Sequence, residues 1–428
     1  MSTRLALVLG LLFALAGASG CATAACKRVR DDRAAFLQRR GPGDAAQMVV
    51  AVPRTTLSQA LTWPLAKLKP IAVPLQVPGL DLELGSLAVG LHHVEVSPAP
   101  EGQLALRVRF ALTSRGRAIT AIDLEARVAP QIAPGSSSVR LSLRPQDLLR
   151  VRPSLPPAER ERFAAFLRAQ LPAGAEALLG RGRVDEAAAQ ALGDLVERSF
   201  PKVRDALLGH LDTLVDVEIE LPPVPLARVV LRSPGQDLEL WLHTTLPAPA
   251  LAPGPARAPG SDARLVQVRM SGGTAAALAN QGIARGQIPG RYDLAGEPSP
   301  TGAFTAGVAW RPGPRPLRIH AWKEQEVCAH LEFAGTPQIS AERGELAIAV
   351  PDAQIERVTG AVKARVAVWY SGLGRQTFAF SQAVAGATRF DLLDVDYDAT
   401  PVQARVVGDD VFVDLALAPA GRTGARKP

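Results

Sequence analysis

The sequence predicts an α+β protein: long antiparallel sheets accompanied by a long amphipathic helix, then a second, mostly β domain. Three observations predict it. Between residues 71 and 145 apolar and polar residues alternate. Leu80, Leu82 and Leu84 stand against Asp81 and Glu83; Leu104, Leu106, Val108 and Phe110 against Ala105, Arg107 and Arg109; Ile122, Leu124, Ala126 and Val128 against Asp123, Glu125 and Arg127. Such alternation marks strands with one wet and one dry face. From Asp185 the period changes to 3.6: Val184, Ala188, Leu192, Leu195 and Val196 form a stripe that Val203, Leu207, Leu208, Leu211, Leu214 and Val215 continue. After residue 262 short alternating segments return without another long helix.

Taken in order, the chain opens with Arg4 and an apolar run from Leu5 to Leu15. The run is shorter than the roughly 20 residues a bilayer span needs, and suits the core of a signal peptide over residues 1–20. Ala18-Ser19-Gly20-Cys21 follows. This resembles the lipobox of bacterial lipoproteins, with Ala18 where that family usually has Leu. The resemblance implies that Cys21 is acylated, that the bond before it is cut, and that the chain is held on a membrane by its lipid. Ala22, in place of the Asp that retains many lipoproteins at the inner membrane, implies the outer membrane, facing the periplasm. A secretory signal cut near Ala25 is the alternative.

Residues 21–47 read as a lipidated tether, rich in charge from Lys27 to Arg33. A domain is expected over 48–246. Met48 to Val52 suits a strand, and Thr55 to Leu61 a short helix ended by Pro64. Turns at Ala99-Pro100-Glu101-Gly102 and Arg115-Gly116 are short enough to join antiparallel neighbours. Pro156-Pro157 opens a helix, where proline costs little, with Phe163, Phe166, Leu167 and Leu171 on its apolar side. Asp185 is an N-cap candidate for the long helix, which Pro201 must interrupt. Strands are expected at Val217–Leu221, Val229–Leu231 and Leu238–Leu242. The Pro, Ala and Gly run over 247–261 reads as a linker. A second domain over 262–420 should hold a short helix from Gly273 to Gly282 and strands at Phe304–Trp310, Leu317–Trp322, Cys328–Phe333, Glu345–Val350, Ala361–Val368 and Val411–Leu417. Residues 421–428 read as a disordered tail.

The net charge of +7 could favour anionic lipid headgroups or nucleic acid, but it is dispersed along the chain and reads as a solvated basic surface, and the expected export argues against nucleic acid as a partner. Of three cysteines, Cys21 is assigned to the anchor. In an oxidising compartment Cys26 and Cys328 could pair, but a flexible tether around Cys26 favours free thiols. No HExxH, GxSxG, Walker or dinucleotide-binding motif is present, so no catalytic residue and no cofactor is indicated. His92 and His93 are adjacent, so on a regular strand they face opposite sides; His210 falls at the edge of the long helix stripe. Asp394, Asp396 and Asp398 would share one strand face and are a weak calcium candidate, set against a solvated acidic face. Trp310, Trp322 and Trp369 are expected in strands of the second half, where they could pack a core or line a ligand cavity or a carbohydrate platform.

A short helix, a long antiparallel meander and a long returning amphipathic helix resemble the tubular lipid-binding superfamily. That superfamily includes the bactericidal/permeability-increasing proteins and bacterial lipoproteins. The likeness rests on the strands containing Leu104–Phe110 and Ile122–Val128 and on Asp185–Val215. It covers residues 50–245 and extends to 262–420 through Gly286-Gln287-Ile288-Pro289-Gly290-Arg291-Tyr292 and His320-Ala321-Trp322-Lys323. It implies that the first sheet curves and wraps around the long helix, leaving a cavity for acyl chains lined by Leu192, Leu195, Val196, Val203, Leu207 and Leu211. The function expected is noncatalytic binding of lipid or another hydrophobic ligand in the cell envelope. The alternative is a structural or assembly lipoprotein that acts through protein partners.

Overall fold

The computed structural model describes residues 22–38, 45–65, 70–77, 82–99, 103–128, 131–134, 138–142, 148–154, 156–170, 186, 190, 216–220, 224–233, 235, 237–293, 297–325, 327–342, 344–370, 377–385, 388–391 and 396–420. Helix α1 (Ala22–Leu37) precedes β1 (Ala46–Pro53) and α2 (Arg54–Leu65). Then come β2 (Ile71–Val77), β3 (Leu82–Pro98), β4 (Leu104–Ser114), β5 (Arg117–Val128), β6 (Gln131–Pro134), β7 (Ser138–Ser142) and β8 (Leu148–Ser154). Helix α3 (Pro157–Gln170), β9 (Asp216–Glu220), β10 (Leu226–Arg232), β11 (Asp237–Thr244) and β12 (Val266–Ser271) follow. The remainder is α4 (Gly272–Ala284), β13 (Arg291–Tyr292), β14 (Phe304–Trp310), β15 (Leu317–Lys323), β16 (Ala329–Gly335), β17 (Gln338–Glu342) and β18 (Glu345–Gly360). After these come α5 (Val362–Tyr370), β19 (Phe378–Ala385), β20 (Thr388–Asp391), β21 (Asp396–Val407) and β22 (Asp410–Pro419).

The alternating segments pair as expected. Strands β2-β3-β4-β5-β8 form one antiparallel sheet, and Arg115-Gly116 closes the β4–β5 hairpin between Ser114 and Arg117. Leu104, Val108, Phe110 and Leu112 point to its dry face. On the wet face Arg107 lies opposite Glu125 in register and binds it at 2.9 Å. Helix α3 buries Phe163 completely on the dry face, and Leu57 of α2 joins the same cluster. The buried carboxylate of Glu159, in the first turn of α3, accepts from Arg109, from Thr120 Oγ1 and from the amide of Ala121, which locks α3 onto β5. A small sheet β6-β7-β9 lies beside it in the chain. The helix expected over Asp185–Val215, with the sheet wrapped around it, lies outside the described residues; Glu186 and Gln190 alone are described there, and both are helical.

In the second half, β13-β14-β15-β16-β18-β17 form a sheet, with β19 paired to β18. One expected strand is a helix: Ala361–Val368 falls in α5. Periodicity alone does not separate a short apolar run on a helix from one on a strand. Here Ala364 and Val368, four residues apart, are buried, and Val368 joins the core of Phe304, Leu331, Phe333 and Val350. Helix α4 forms where expected, its first turn capped by Ser271 Oγ accepting from the Thr274 amide at 3.1 Å.

A third sheet, β10-β11-β1-β12-β22-β21-β20, takes strands from both sides of residues 247–261. Strand β1 pairs with β11 on one edge and β12 on the other. One hydrogen-bonded ladder therefore runs across the expected break between the two domains. Nor is 247–261 a free linker. Leu251 and Ala256 are buried against Val49, Ala51 and Trp241. Its backbone is held by sheet side chains: Gln47 Nε2 donates to Leu246 O and Ala248 O at 3.0 and 2.7 Å, and Gln267 Oε1 accepts from the Ala258 amide at 2.6 Å. Proline and glycine deprive this strap of its own ladder, and the sheet supplies the partners.

Candidate functional site

Among the described residues, two of the places that bring together side chains from distant parts of the chain are a cleft and a helix-docking site. The first is a cleft of about 370 Å³ lined by Thr56, Gln59, Thr62, His93, Tyr397, Leu417 and Pro419, at the lower end of the size range of ligand pockets. Helix α2 presents Thr56, Gln59 and Thr62 at three-residue spacing, so they share a face. Thr62 Oγ1 donates to Ser58 O at 2.7 Å and accepts from the Val94 amide at 3.0 Å; His93 Nδ1 lies 3.4 Å from it. A register shift between Leu91 and His93 in β3 leaves both His92 and His93 exposed, so the expected opposite orientation fails: a bulge adds one residue and breaks the period of two. The opposite wall comes from the ends of β21 and β22, where Tyr397 pairs with Pro419 and Ala399 with Leu417. Burial pushes the Tyr397 phenol above its ordinary 10.0, so it stays un-ionised. The cleft thus has one wall of hydroxyl, amide and imidazole and one of phenol and aliphatic groups.

The second place is where α1 docks on the second-half sheet. The tether expected here is a helix. Cys26, Val29, Arg33 and Phe36, spaced by three and four, line one face of α1. Cys26 is bonded to Cys328, which replaces the expected free thiols. Val29 is fully buried against Trp322 and Cys328. Arg33 binds Glu324 at 2.7 Å, and Phe36 packs on His320 and Trp322 with ring centroids 4.9 and 5.1 Å apart. Gly307 makes room for this: a Cβ there would stand 2.9 Å from both the Phe36 and the Trp322 rings. Trp322 is thus a core residue, stacked on His320 and His330. Trp310 covers Gly272 and donates to Asp409 Oδ1 at 3.3 Å; Trp369 falls in α5 rather than in a strand.

His330 sits beneath this helix, its Nε2 3.0 Å from His320 Nδ1. Burial holds it below the ordinary 6.5, opposed by the charges of Asp32 and Glu332 and reinforced by Arg357. A histidine kept neutral by folding binds fewer protons than it does unfolded. Stability should therefore be full above pH 6.5 and fall as the pH drops from there toward its folded pKa, by at most about 1.4 kcal/mol per pH unit. Thermal melts at stepped pH should show this loss, and a His330→Gln chain should show less of it.

Of the residues expected to carry function, Cys21 lies outside the described residues, as do Leu192, Leu195, Val196, Val203, Leu207, Leu211 and His210. Asp394 lies outside them too. Asp396 is exposed and Asp398 half-buried, on the face of β21 opposite the buried Tyr397; in register they face Asp391 and Arg389. Among the described residues no three His, Cys, Asp or Glu side chains are grouped to hold a metal ion, and no helix is long and apolar enough to cross a membrane. The cleft residues had one sequence signal, the polar face of α2; nothing linked that face to Tyr397.

No family model matches the chain, and no curated protein matches it. Solved structures do. Crystal structures of P47 from Clostridium botulinum E1 and the structure of P47 from Clostridium botulinum A2 are each 7% identical, with TM-scores of 0.38, and cover 87% and 88% of this chain and 99% and 98% of their own. The crystal structure of lipopolysaccharide binding protein is 11% identical, with a TM-score of 0.27, covering 87% of this chain and 99% of its own. The described chain is thus a mostly antiparallel protein and a distant structural neighbour of these three.

Proposed function

We propose that this is an envelope lipoprotein, anchored in the outer membrane through Cys21 and facing the periplasm, that binds lipid or another hydrophobic ligand without catalysis. The observation that carries the reading is the two-walled cleft. An amphiphile can place its polar group against Thr56, Gln59, Thr62 and His93 and its apolar part against Leu417, Pro419 and the Tyr397 ring. The gain would come from apolar surface removed from water, about 25 cal/mol per Å² before association costs.

Native mass spectrometry of the gently purified chain, with binding of a fluorescent fatty acid, tests this. A copurified lipid is expected, and Leu417→Asp should weaken fatty-acid binding by about tenfold or more, since it places a charge in the apolar wall. No copurified lipid together with no fatty-acid binding would overturn the reading; turnover of a pooled ester and phosphodiester panel would overturn the absence of catalysis. The mass of the envelope-extracted chain reports acylation of Cys21 directly.

A further inference from the structure

The polar wall of the cleft carries hydrogen-bonding groups without formal charge. Thr56, Gln59, Thr62 and His93 form it, and among the described residues that line the cleft there is no carboxylate, ammonium or guanidinium. The opposite wall acts in the same direction. Tyr397 is 3% exposed, and burial is what pushes its phenol above 10.0. A carboxylate laid against that ring would lose water too, with no cation in the lining to replace it. Arg54, which opens α2, is bound to the carbonyl of Gly235.

The hydrogen bonds of the polar wall also have a direction. A threonine hydroxyl has one proton and two lone pairs. Thr62 Oγ1 gives its proton to the Ser58 carbonyl at 2.7 Å and accepts from the Val94 amide at 3.0 Å. One lone pair is left for His93 Nδ1, 3.4 Å away. A neutral imidazole holds a single proton, so a proton on Nδ1 leaves Nε2 as an acceptor. Thr56 is set the same way: its proton goes to the Arg264 carbonyl at 2.8 Å, and Oγ1 offers lone pairs. Gln59 is exposed, and an amide side chain can donate or accept. A head group that donates hydrogen bonds therefore meets acceptors at Thr56 and His93. A carboxylate, which only accepts, meets them lone pair to lone pair.

We propose that the cleft takes a single-chain amphiphile whose head is uncharged and bears hydroxyl groups, such as a monoacylglycerol, in preference to the carboxylate with the same tail. His93 Nε2 and Thr56 Oγ1 set that preference by accepting from the head, while Thr62 holds the imidazole in the accepting form. A volume of about 370 Å³ with an apolar wall of Leu417, Pro419 and one ring suits one chain rather than two. The proposal rests on the cleft being an amphiphile site; the choice of head goes beyond that reading.

The test titrates the full chain at pH 8 with two probes that share one dansyl-undecanoyl tail, the glycerol monoester and the free acid. Dansyl emission above that of a Leu417→Asp chain reports the cleft. The acid is expected to bind, and the ester to bind at least tenfold more tightly. Gln59→Lys, at an exposed position, supplies the missing cation and should invert that order. Should this chain melt below the parent, His93→Lys, also at an exposed position, places an ammonium in the same wall and should invert it too. An acid that binds the parent as tightly as the ester, or a lysine chain that keeps the parent's order, would overturn the choice of head and leave the amphiphile site standing. Emission no higher than in the Leu417→Asp chain for both probes would sink the site itself, and the choice of head with it.

Discussion

Replacing Cys328 by serine is expected to lower stability by about 2–5 kcal/mol, toward the upper part of that range. The bond closes a loop with a sequence separation of 302, and a long loop loses the most denatured-state freedom when cross-linked. The native side of the balance is local. Without the bond, α1 is held through contacts such as Val29, the Arg33–Glu324 pair and the Phe36 rings, and a partly exposed ion pair contributes little. Denaturant unfolding of parent and Cys328→Ser chains, read by tryptophan emission, measures the difference. Hydrogen exchange should show α1 amides opening first in the variant, before those of β15 and β16. A parent whose unfolding is unchanged by reductant would contradict both the pairing and its role.

Arg269→Met is expected to cost about 3 kcal/mol, because it leaves the half-buried carboxylate of Asp410 and the carbonyls of Ala252 and Pro255 without their partner. Arg269 is almost fully buried on β12. Its Nε and Nη2 bind Asp410 Oδ2 at 2.9 and 2.6 Å, while Nη1 and Nη2 donate to Pro255 O and Ala252 O at 3.1 and 2.8 Å. One guanidinium thus joins the central sheet to the strap over 247–261. The Arg269→Lys chain should recover only part of the loss, since a single ammonium cannot make the planar fork. Limited proteolysis offers an independent reading: cleavage within 247–261 should be slow in the parent and fast in Arg269→Met. Equal cleavage rates would mean that the strap is held by something else.

Much of the meander was legible because the information is local. The alternation in β4 and β5 and the two-residue turn at Arg115-Gly116 set register by themselves, and Pro157 marks the first turn of α3. The docking of α1 was half legible: Cys26, Val29, Arg33 and Phe36 stand at helical spacing, but the charges between Lys27 and Arg33 obscure that face. The cleft was less so. A polar helix face has no preferred partner until the ends of β21 and β22 arrive beside it, and a bulge at His93 is invisible to a count of two.

The sequence by itself determined the faces of β4 and β5, the hairpin between them and the first turn of α3, because each depends on neighbours within a few positions. Only the tertiary structure decided that β1 would join strands from both halves into one sheet, that a Pro- and Gly-rich run would be strapped down by Gln47, Gln267 and Arg269, and that Cys26 would meet Cys328. Those contacts link residues some 10 to 300 positions apart. Their free energy comes from burial and hydrogen bonding that exist only once the sheets have formed, so no local period could carry them.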